Sequence, residues 1–225
     1  MGYLPLGQME NQCRDGLEQV ARRVGLDFII NVVLDAENRV VDLVTGDFVQ
    51  AHRAGAQSAK KAFGVPLPCQ ADILISCSYP YDIDYWQCEK ALISGYFAVK
   101  KGGIIILAAP CLEGLAHNHD DLLSWLGMSS EDAKARLRYL WSSKEPGDLV
   151  SASIAIGAVT VRERAQIFIY SQGLTDGEIS TMGYRGFSSL QAAVDAALTE
   201  KPDGVIGILK RGGDCLPLLP SSEER

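Results

Sequence analysis

Two side chains three positions apart, Gln87 and Lys90, offer the clearest chemistry in the sequence. They fall in SCSYPYDIDYWQCEK, residues 76–90, where an apolar run yields to a turn and then to a helical pattern opened by aspartates. Side chains at i and i+3 share a helix face, so the pair can converge on one small ligand. An ammonium neutralises a carboxylate, and an amide both donates and accepts, which suits a carboxylate with a hydroxyl beside it. Tyr81 and Asp82, in the loop that delivers the chain to this helix, join them as candidate ligand-binding residues. The same pattern also describes a solvated face of an amphipathic helix, and the spacing leaves both readings open.

The remaining constellations carry less. His117, His119 and Asp120 in LAHNHDD can be drawn as metal ligands, yet such a pair ahead of a helix commonly supplies loop and cap residues. No metal site is expected. His52 lies on a presumed connecting helix with no nucleophile beside it, so a structural role at a domain contact is expected rather than catalysis. Neither GxGxxG nor a GxxxxGK phosphate loop occurs. KKGG at residues 100–103 reads as a helix end with its glycine cap, and KRGG at residues 210–213 as a turn after a strand. The six cysteines form no CxxC pair, and most are expected to be buried thiols.

A candidate site of this kind needs elements to hold it. Apolar runs at residues 73–77, 104–108, 166–170 and 204–209 alternate with helical patterns at 84–99, 120–126, 130–141 and 189–199. That alternation predicts an α/β fold, a parallel-type sheet flanked by helices. In open sheets of this type ligands bind beyond the carboxyl ends of the strands, where residues 76–90 fall. Upstream, residues 10–23 predict an amphipathic helix, residues 27–34 and 39–44 a β-hairpin, and residues 47–61 a helix capped by Asp47. A helix and a hairpin have no evident closed core. They read as the remnant of an N-terminal domain, giving 1–64 as its end with a connecting helix, 65–216 as the C-terminal α/β domain, and 217–225 as a flexible tail.

Bulk properties set limits on partners. A formal charge of -7 gives no footprint for phosphate backbones, so nucleic acid is not an expected partner. The longest apolar run, GIIILAAP, is far shorter than a membrane span, and the N-terminus lacks a signal-peptide pattern. A cytoplasmic protein without a membrane partner is expected.

Three stretches in order resemble the C-terminal portion of the nickel-dependent lactate racemase family: VGLDFIINVVLD with GDFVQAHRAG, ADILISCSYPYDIDYWQCEKAL with VKKGGIIILAAPCLEGL, and the ending that contains DGVIGIL. The resemblance implies a 2-hydroxy-acid racemase or epimerase. Members use a nickel pincer nucleotide that takes hydride from the hydroxyl-bearing carbon and returns it to either face, while a histidine pair moves the hydroxyl proton. The Gln and Lys of the family's PxDxxxYQxxK stretch contact substrate, and Gln87 and Lys90 occupy those positions.

The family's cofactor-bearing lysine, nickel-binding histidine and catalytic histidines lie upstream of the matched stretches. The resemblance therefore implies no catalytic residue and no bound cofactor in this chain, which is expected to be inactive without the missing N-terminal domain. A former domain interface can also support a homodimer. Where lactate racemases commonly carry a DQW tryptophan, this chain has Gly147, Asp148, Leu149 and Val150, which implies a different pocket; Trp86 is left between pocket and core. The competing expectation is a small-carboxylate-binding module without catalysis.

Overall fold

In the computed structural model, residues 6–145 and 147–220 are described. The chain divides between Pro66 and Leu67 into two units.

In the first unit, Asn11 caps α1 (Gln12–Val24) by accepting the Arg14 N–H, and Gly25, with φ 73°, supplies the left-handed end. Strands β1 (Ile29–Leu34) and β2 (Val40–Gly46) form an antiparallel hairpin with Val32 opposite Leu43. Asp47 accepts the Val49 and Gln50 N–H groups to start α2 (Phe48–Phe63), and a short β3 (Gly64–Pro66) follows. The apolar core is small: Val33, Phe48 and Ala51 are its buried hydrophobic residues among those described.

The apolar stripe of α1 is not what the unit buries. Leu17, Val20 and Val24 are 59%, 60% and 74% exposed, whereas Glu18 is 4% exposed. Arg53 makes this inversion tolerable, since its guanidinium hydrogen-bonds Glu18 and reaches Glu10 at 2.7 Å, while Arg14 pairs with Glu18 at 3.0 Å. Hydrogen bonds from Arg53 and Arg14 hold the Glu18 carboxyl at about 2, below its ordinary 4.5. A depressed carboxyl pKa contributes stability above the unfolded value and loses it as pH falls through the folded one. Acid titration of the chain, followed by circular dichroism, should show stability falling from about pH 4.5 toward 2 more steeply than in Glu18→Gln. Equal acid slopes in both proteins would show that the arginine pair does not govern this limb.

The second unit is an α/β domain with a five-stranded parallel sheet in the order β7-β6-β5-β4-β8. Its strands are β4 (Ala71–Cys77), β5 (Val99–Ala108), β6 (Gln166–Tyr170), β7 (Arg185–Gly186) and β8 (Ile206–Leu209). Helix α3 (Tyr85–Ala98) connects β4 to β5. Next come α4 (Leu122–Leu126), α5 (Ser130–Ser143) and α6 (Leu149–Arg164) before β6, then α7 (Asp176–Thr181) before β7, and α8 (Leu190–Glu200) before β8. A 3-10 turn, Gly212–Asp214, and β9 (Leu216–Leu218) follow.

Alternation along the strands builds two cores. Ile73, Ile104, Ile106 and Phe168 pack with Ala193 and Ala197 of α8. On the other face Leu74 and Ile105 lie against Gly95 of α3, where an added Cβ would stand 3.1 Å from Ile105.

Several sequence expectations are corrected. KKGG is not a helix end: α3 passes directly into β5, and Lys100 pairs with Asp72 at 2.7 Å. Gly102, at φ 74°, lies where the β4–β5 register shifts, and a Cβ on Gly103 would press on the carbonyl oxygens of Asp72 and Lys100 at 2.9 Å. Pro217 and Leu218 do not belong to a fraying tail, because Leu218 accepts the Leu67 N–H at 2.8 Å within β9. Residues 221–225 of that expected tail lie outside the described residues. Only Cys88 and Cys111 of the six cysteines are buried; Cys13 and Cys69 are exposed, and Cys77 and Cys215 are half-buried.

Candidate ligand-binding site

Beyond β4 the chain runs through Ser78 and a cis Tyr79-Pro80 bond to Tyr81, whose N–H donates to the Ser78 carbonyl at 2.8 Å. Asp84 then caps α3 by accepting the Gln87 N–H at 2.8 Å. The N–H groups of Tyr85 and Trp86 donate to the Gly114 and Leu115 carbonyls, both at 3.0 Å. These first N–H groups of α3 are thus satisfied within the chain, and the helix terminus does not present them to a ligand.

The side chains converge. Lys90 Nζ donates to Gln87 Oε1 at 2.5 Å and stands 3.8 Å from the centre of the Tyr81 ring. An ammonium has three donors and an amide nitrogen two, so this arrangement leaves hydrogens on both for a carboxylate or hydroxyl. The aromatic face holds the ammonium over the loop by cation–π attraction. Asp82 joins differently: its backbone carbonyl accepts the Cys111 N–H at 3.1 Å. Among the described residues no hydrogen bond or ion pair links the Asp82 carboxylate to Gln87 or Lys90.

A second group adjoins Gln87. Trp86 is half-buried and stacks on His119, with ring centres 3.9 Å apart and planes 16° from parallel. His119 Nδ1 lies 2.7 Å from Asp148 Oδ2, which also accepts the Ser151 hydroxyl at 2.6 Å. Burial pushes the Asp148 carboxyl upward, but Ser151 and His119 outweigh it and hold the group well below the usual carboxylate range. The segment in which the family's tryptophan is expected thus carries an aspartate that caps α6 and fixes a histidine against Trp86. His117 and Asp120 are exposed, and no group of three or more His, Cys, Asp or Glu among the described residues is placed to hold a metal ion. His52 is on α2, where burial lowers its pKa.

Sequence reading missed the neighbours supplied by the last loop. A Cβ on Gly212 would stand 2.2 Å from Ser76 Oγ, and one on Gly213 would stand 2.9 Å from both the Ser78 carbonyl and the Tyr81 ring. The Arg211 guanidinium lies 5.2 Å over the Tyr79 ring and pairs with Asp214 at 2.9 Å. The KRGG stretch was visible, but its contact with residues 76–81 depends on β8 pairing with β4.

Parallel strands with helices between them define an α/β protein, and a lysine, an amide and aromatic side chains gathered beyond the carboxyl end of β4 make that end of the sheet its candidate site. No protein-family model matches the chain. Over 132 residues it is 31% identical to a lactate racemase from Thermoanaerobacterium thermosaccharolyticum, and over 120 residues 32% identical to one from Lactiplantibacillus plantarum. These alignments cover 57% and 51% of this chain but 30% and 28% of the relatives, so the aligned stretches span under a third of the proteins they match.

The fold of the Thermoanaerobacterium thermosaccharolyticum lactate racemase apoprotein matches with a TM-score of 0.78 at 22% identity, covering 93% of this chain and 50% of that one. A Thermotoga maritima protein matches with a TM-score of 0.62 at 14% identity, covering 94% and 54%. Over the aligned stretches the chain is similar to lactate racemases, and its fold matches that of one of them.

Proposed function

We propose that this chain is the substrate-binding portion of a 2-hydroxy-acid racemase or epimerase. The observation that carries the reading is the convergence of Lys90, Gln87 and Tyr81 beyond β4 in a chain related to lactate racemases. Lys90 neutralises the substrate carboxylate, Gln87 hydrogen-bonds its carboxylate or hydroxyl, and Tyr81 holds the ammonium in place. Asp82 shapes the loop through its carbonyl.

The family's cofactor supplies hydride transfer when bound. To the residues of this chain we assign substrate binding only. Proton transfer and the nickel pincer nucleotide belong, in this proposal, to a further N-terminal domain, without which the chain is inactive. Phe28, Ile30, Val32 and Leu43 are 58%, 67%, 51% and 56% exposed on β1, β2 and the segment before them, which supports packing against such a domain, a second copy being the alternative cover. No helix among the described residues is long and apolar enough to cross a membrane, and free cysteines suit the reducing cytoplasm in which we place the protein.

The test is racemisation of a panel of 2-hydroxy acids by the full-length protein loaded with cofactor, alongside calorimetric binding of the same acids. Lys90→Ala and Gln87→Ala should each weaken binding and turnover about tenfold to a hundredfold, as expected for hydrogen bonds to charged groups worth roughly 1.5–3 kcal/mol. Binding that depends on both residues without turnover would favour a non-catalytic carboxylate-binding module. Turnover unaffected by either change would remove Gln87 and Lys90 from the site.

A further inference from the structure

Directly beneath the loop that carries Tyr81, two thiols meet. Cys88, in the second turn of α3, and Cys111, just after β5, are both fully buried, and the Cys111 S–H donates to Cys88 Sγ at 3.4 Å. The Ser78 hydroxyl, just after β4, donates to the Ala108 carbonyl at 3.1 Å, and the Ser171 hydroxyl, just after β6, donates to the Pro110 carbonyl at 3.0 Å, so the segments on either side are tied to the end of β5 that leads into Cys111.

The backbone fixes this meeting from several sides. Cys111 has φ 49°, a left-handed conformation that a residue with a side chain rarely adopts. Its N–H donates to the Asp82 carbonyl at 3.1 Å, and its own carbonyl accepts the Gly114 N–H at 2.8 Å. Gly173 approaches so closely that a Cβ there would lie 1.7 Å from the Cys111 oxygen. A position determined by so many contacts aims one sulfur at the other, the arrangement needed for a vicinal thiol to trap an oxidised partner.

We propose that Cys88 and Cys111 form a peroxide-responsive dithiol, closed to a disulfide by hydrogen peroxide. The Cys111 S–H holds the Cys88 thiol below its ordinary pKa against the effect of burial, which makes Cys88 the attacking sulfur. In the first step the Cys88 thiolate attacks one peroxide oxygen: an S–O bond forms, the O–O bond breaks, and the departing hydroxide takes the proton that Cys88 released. In the second, Cys111 attacks the Cys88 sulfenic sulfur: the S–S bond forms, the S–OH bond breaks, and hydroxide leaves with the Cys111 proton. Two thiols lose two electrons, and one peroxide becomes two waters.

The reactant must be small, because both sulfurs are closed to solvent. Hydrogen peroxide enters during local opening of the covering loops, in which Tyr79, Ile83 and Leu112 are 51%, 50% and 72% exposed. Bulkier disulfide oxidants are excluded and react first at exposed Cys13 and Cys69. The bond ties the start of α3 to the loop after β5, immediately beside Gln87.

The experiment treats the full chain with hydrogen peroxide, alkylates the remaining thiols after unfolding, and maps peptides by mass spectrometry. The expected product is a Cys88–Cys111 cross-linked peptide lighter by two hydrogens, reversed by dithiothreitol and missing from Cys88→Ser and Cys111→Ser. Oxidised glutathione should modify Cys13 and Cys69 without forming the cross-link. Wild-type mapping decides the matter even if either variant fails to fold. Recovery of Cys88 and Cys111 as alkylated peptides while Cys13 and Cys69 are oxidised overturns the proposal, as does cross-linking of either to another cysteine.

Discussion

Replacing Glu89 with glutamine should flatten the chain's stability profile between pH 5 and pH 8, relative to wild type. Glu89 is 5% exposed on the side of α3 that meets α6, in room left by Gly157, where an added Cβ would stand 2.6 Å from its Oε1. Burial pushes the carboxyl from 4.5 to about 8, opposed in part by the Lys90 ammonium. The sign follows from proton counting. Between 4.5 and about 8 the folded chain holds this proton while the unfolded chain has released it, so stability falls as pH rises across that window. Each pH unit inside it costs about 1.4 kcal/mol when the difference is one full proton. Glutamine keeps the shape and cannot ionise, so its own hydrogen-bonding cost is the same at every pH. Urea unfolding at several pH values should show wild type losing stability against Glu89→Gln by a few kcal/mol across the window. Parallel curves would mean that Glu89 titrates near its ordinary value and that water reaches it.

Gly173→Ala should destabilise the second unit by about 3 kcal/mol, the upper end of overpacking costs. The new Cβ would meet Cys111 O at 1.7 Å, Cys111 C at 2.5 Å and Leu112 Cα at 3.0 Å, all backbone atoms. Those atoms cannot rotate aside as a flexible side chain can. They are also tethered, since Gln172 and Gly173 donate to the Pro110 carbonyl at 3.1 and 2.9 Å, and the Ser171 hydroxyl does so at 3.0 Å. Relief therefore requires the loop after β5 to move, taking with it the Gly114 and Leu115 carbonyls that receive the first N–H groups of α3. Denaturant unfolding measures the cost; a change within about 0.5 kcal/mol, ordinary for a surface position, would show that the turn yields freely.

The sheet was legible because its strands are short runs of Ile, Val and Leu that repeat between helical patterns. Asp47 and Asp84 announced helix starts through the same capping chemistry that the structure shows, whereas Asn11, which caps α1, lay inside the expected helix and was not read as a cap. Helix α6 was not recognised. Ser151, Ala152, Ala155, Ile156, Gly157, Ala158, Val159 and Val161 are all buried, and a helix covered around most of its surface shows no amphipathic period. Strand β7 is two residues long, too short for any pattern. Helix α7 did leave a signal, the Thr175 and Glu178 capping box, which the sequence reading passed over.

At the site, helical spacing was enough to pair Gln87 with Lys90, because both lie on one element. The partners from elsewhere had no such ruler. Tyr81 under Lys90, His119 on Trp86, and Gly213 against Tyr81 are products of loops meeting in space. The α1 stripe was legible as amphipathic, but its direction was not, because Arg53 on α2 is what lets Glu18 turn inward.

The strand order has a consequence for biosynthesis. Because β8 lies beside β4, the Val205 N–H reaches Asp72 across 133 residues of sequence, and Gly212 and Gly213 close against residues 76–81 only after that pairing. During translation the site loop of β4 therefore emerges early and waits, with one strand edge open, until nearly the entire unit has left the ribosome. Such long-range closure is slow in chain-entropy terms. Nascent chains arrested before residue 206 should present an unpaired β4 edge to chaperones, and the candidate site becomes complete only with β8 and the Gly212–Asp214 turn that follows it.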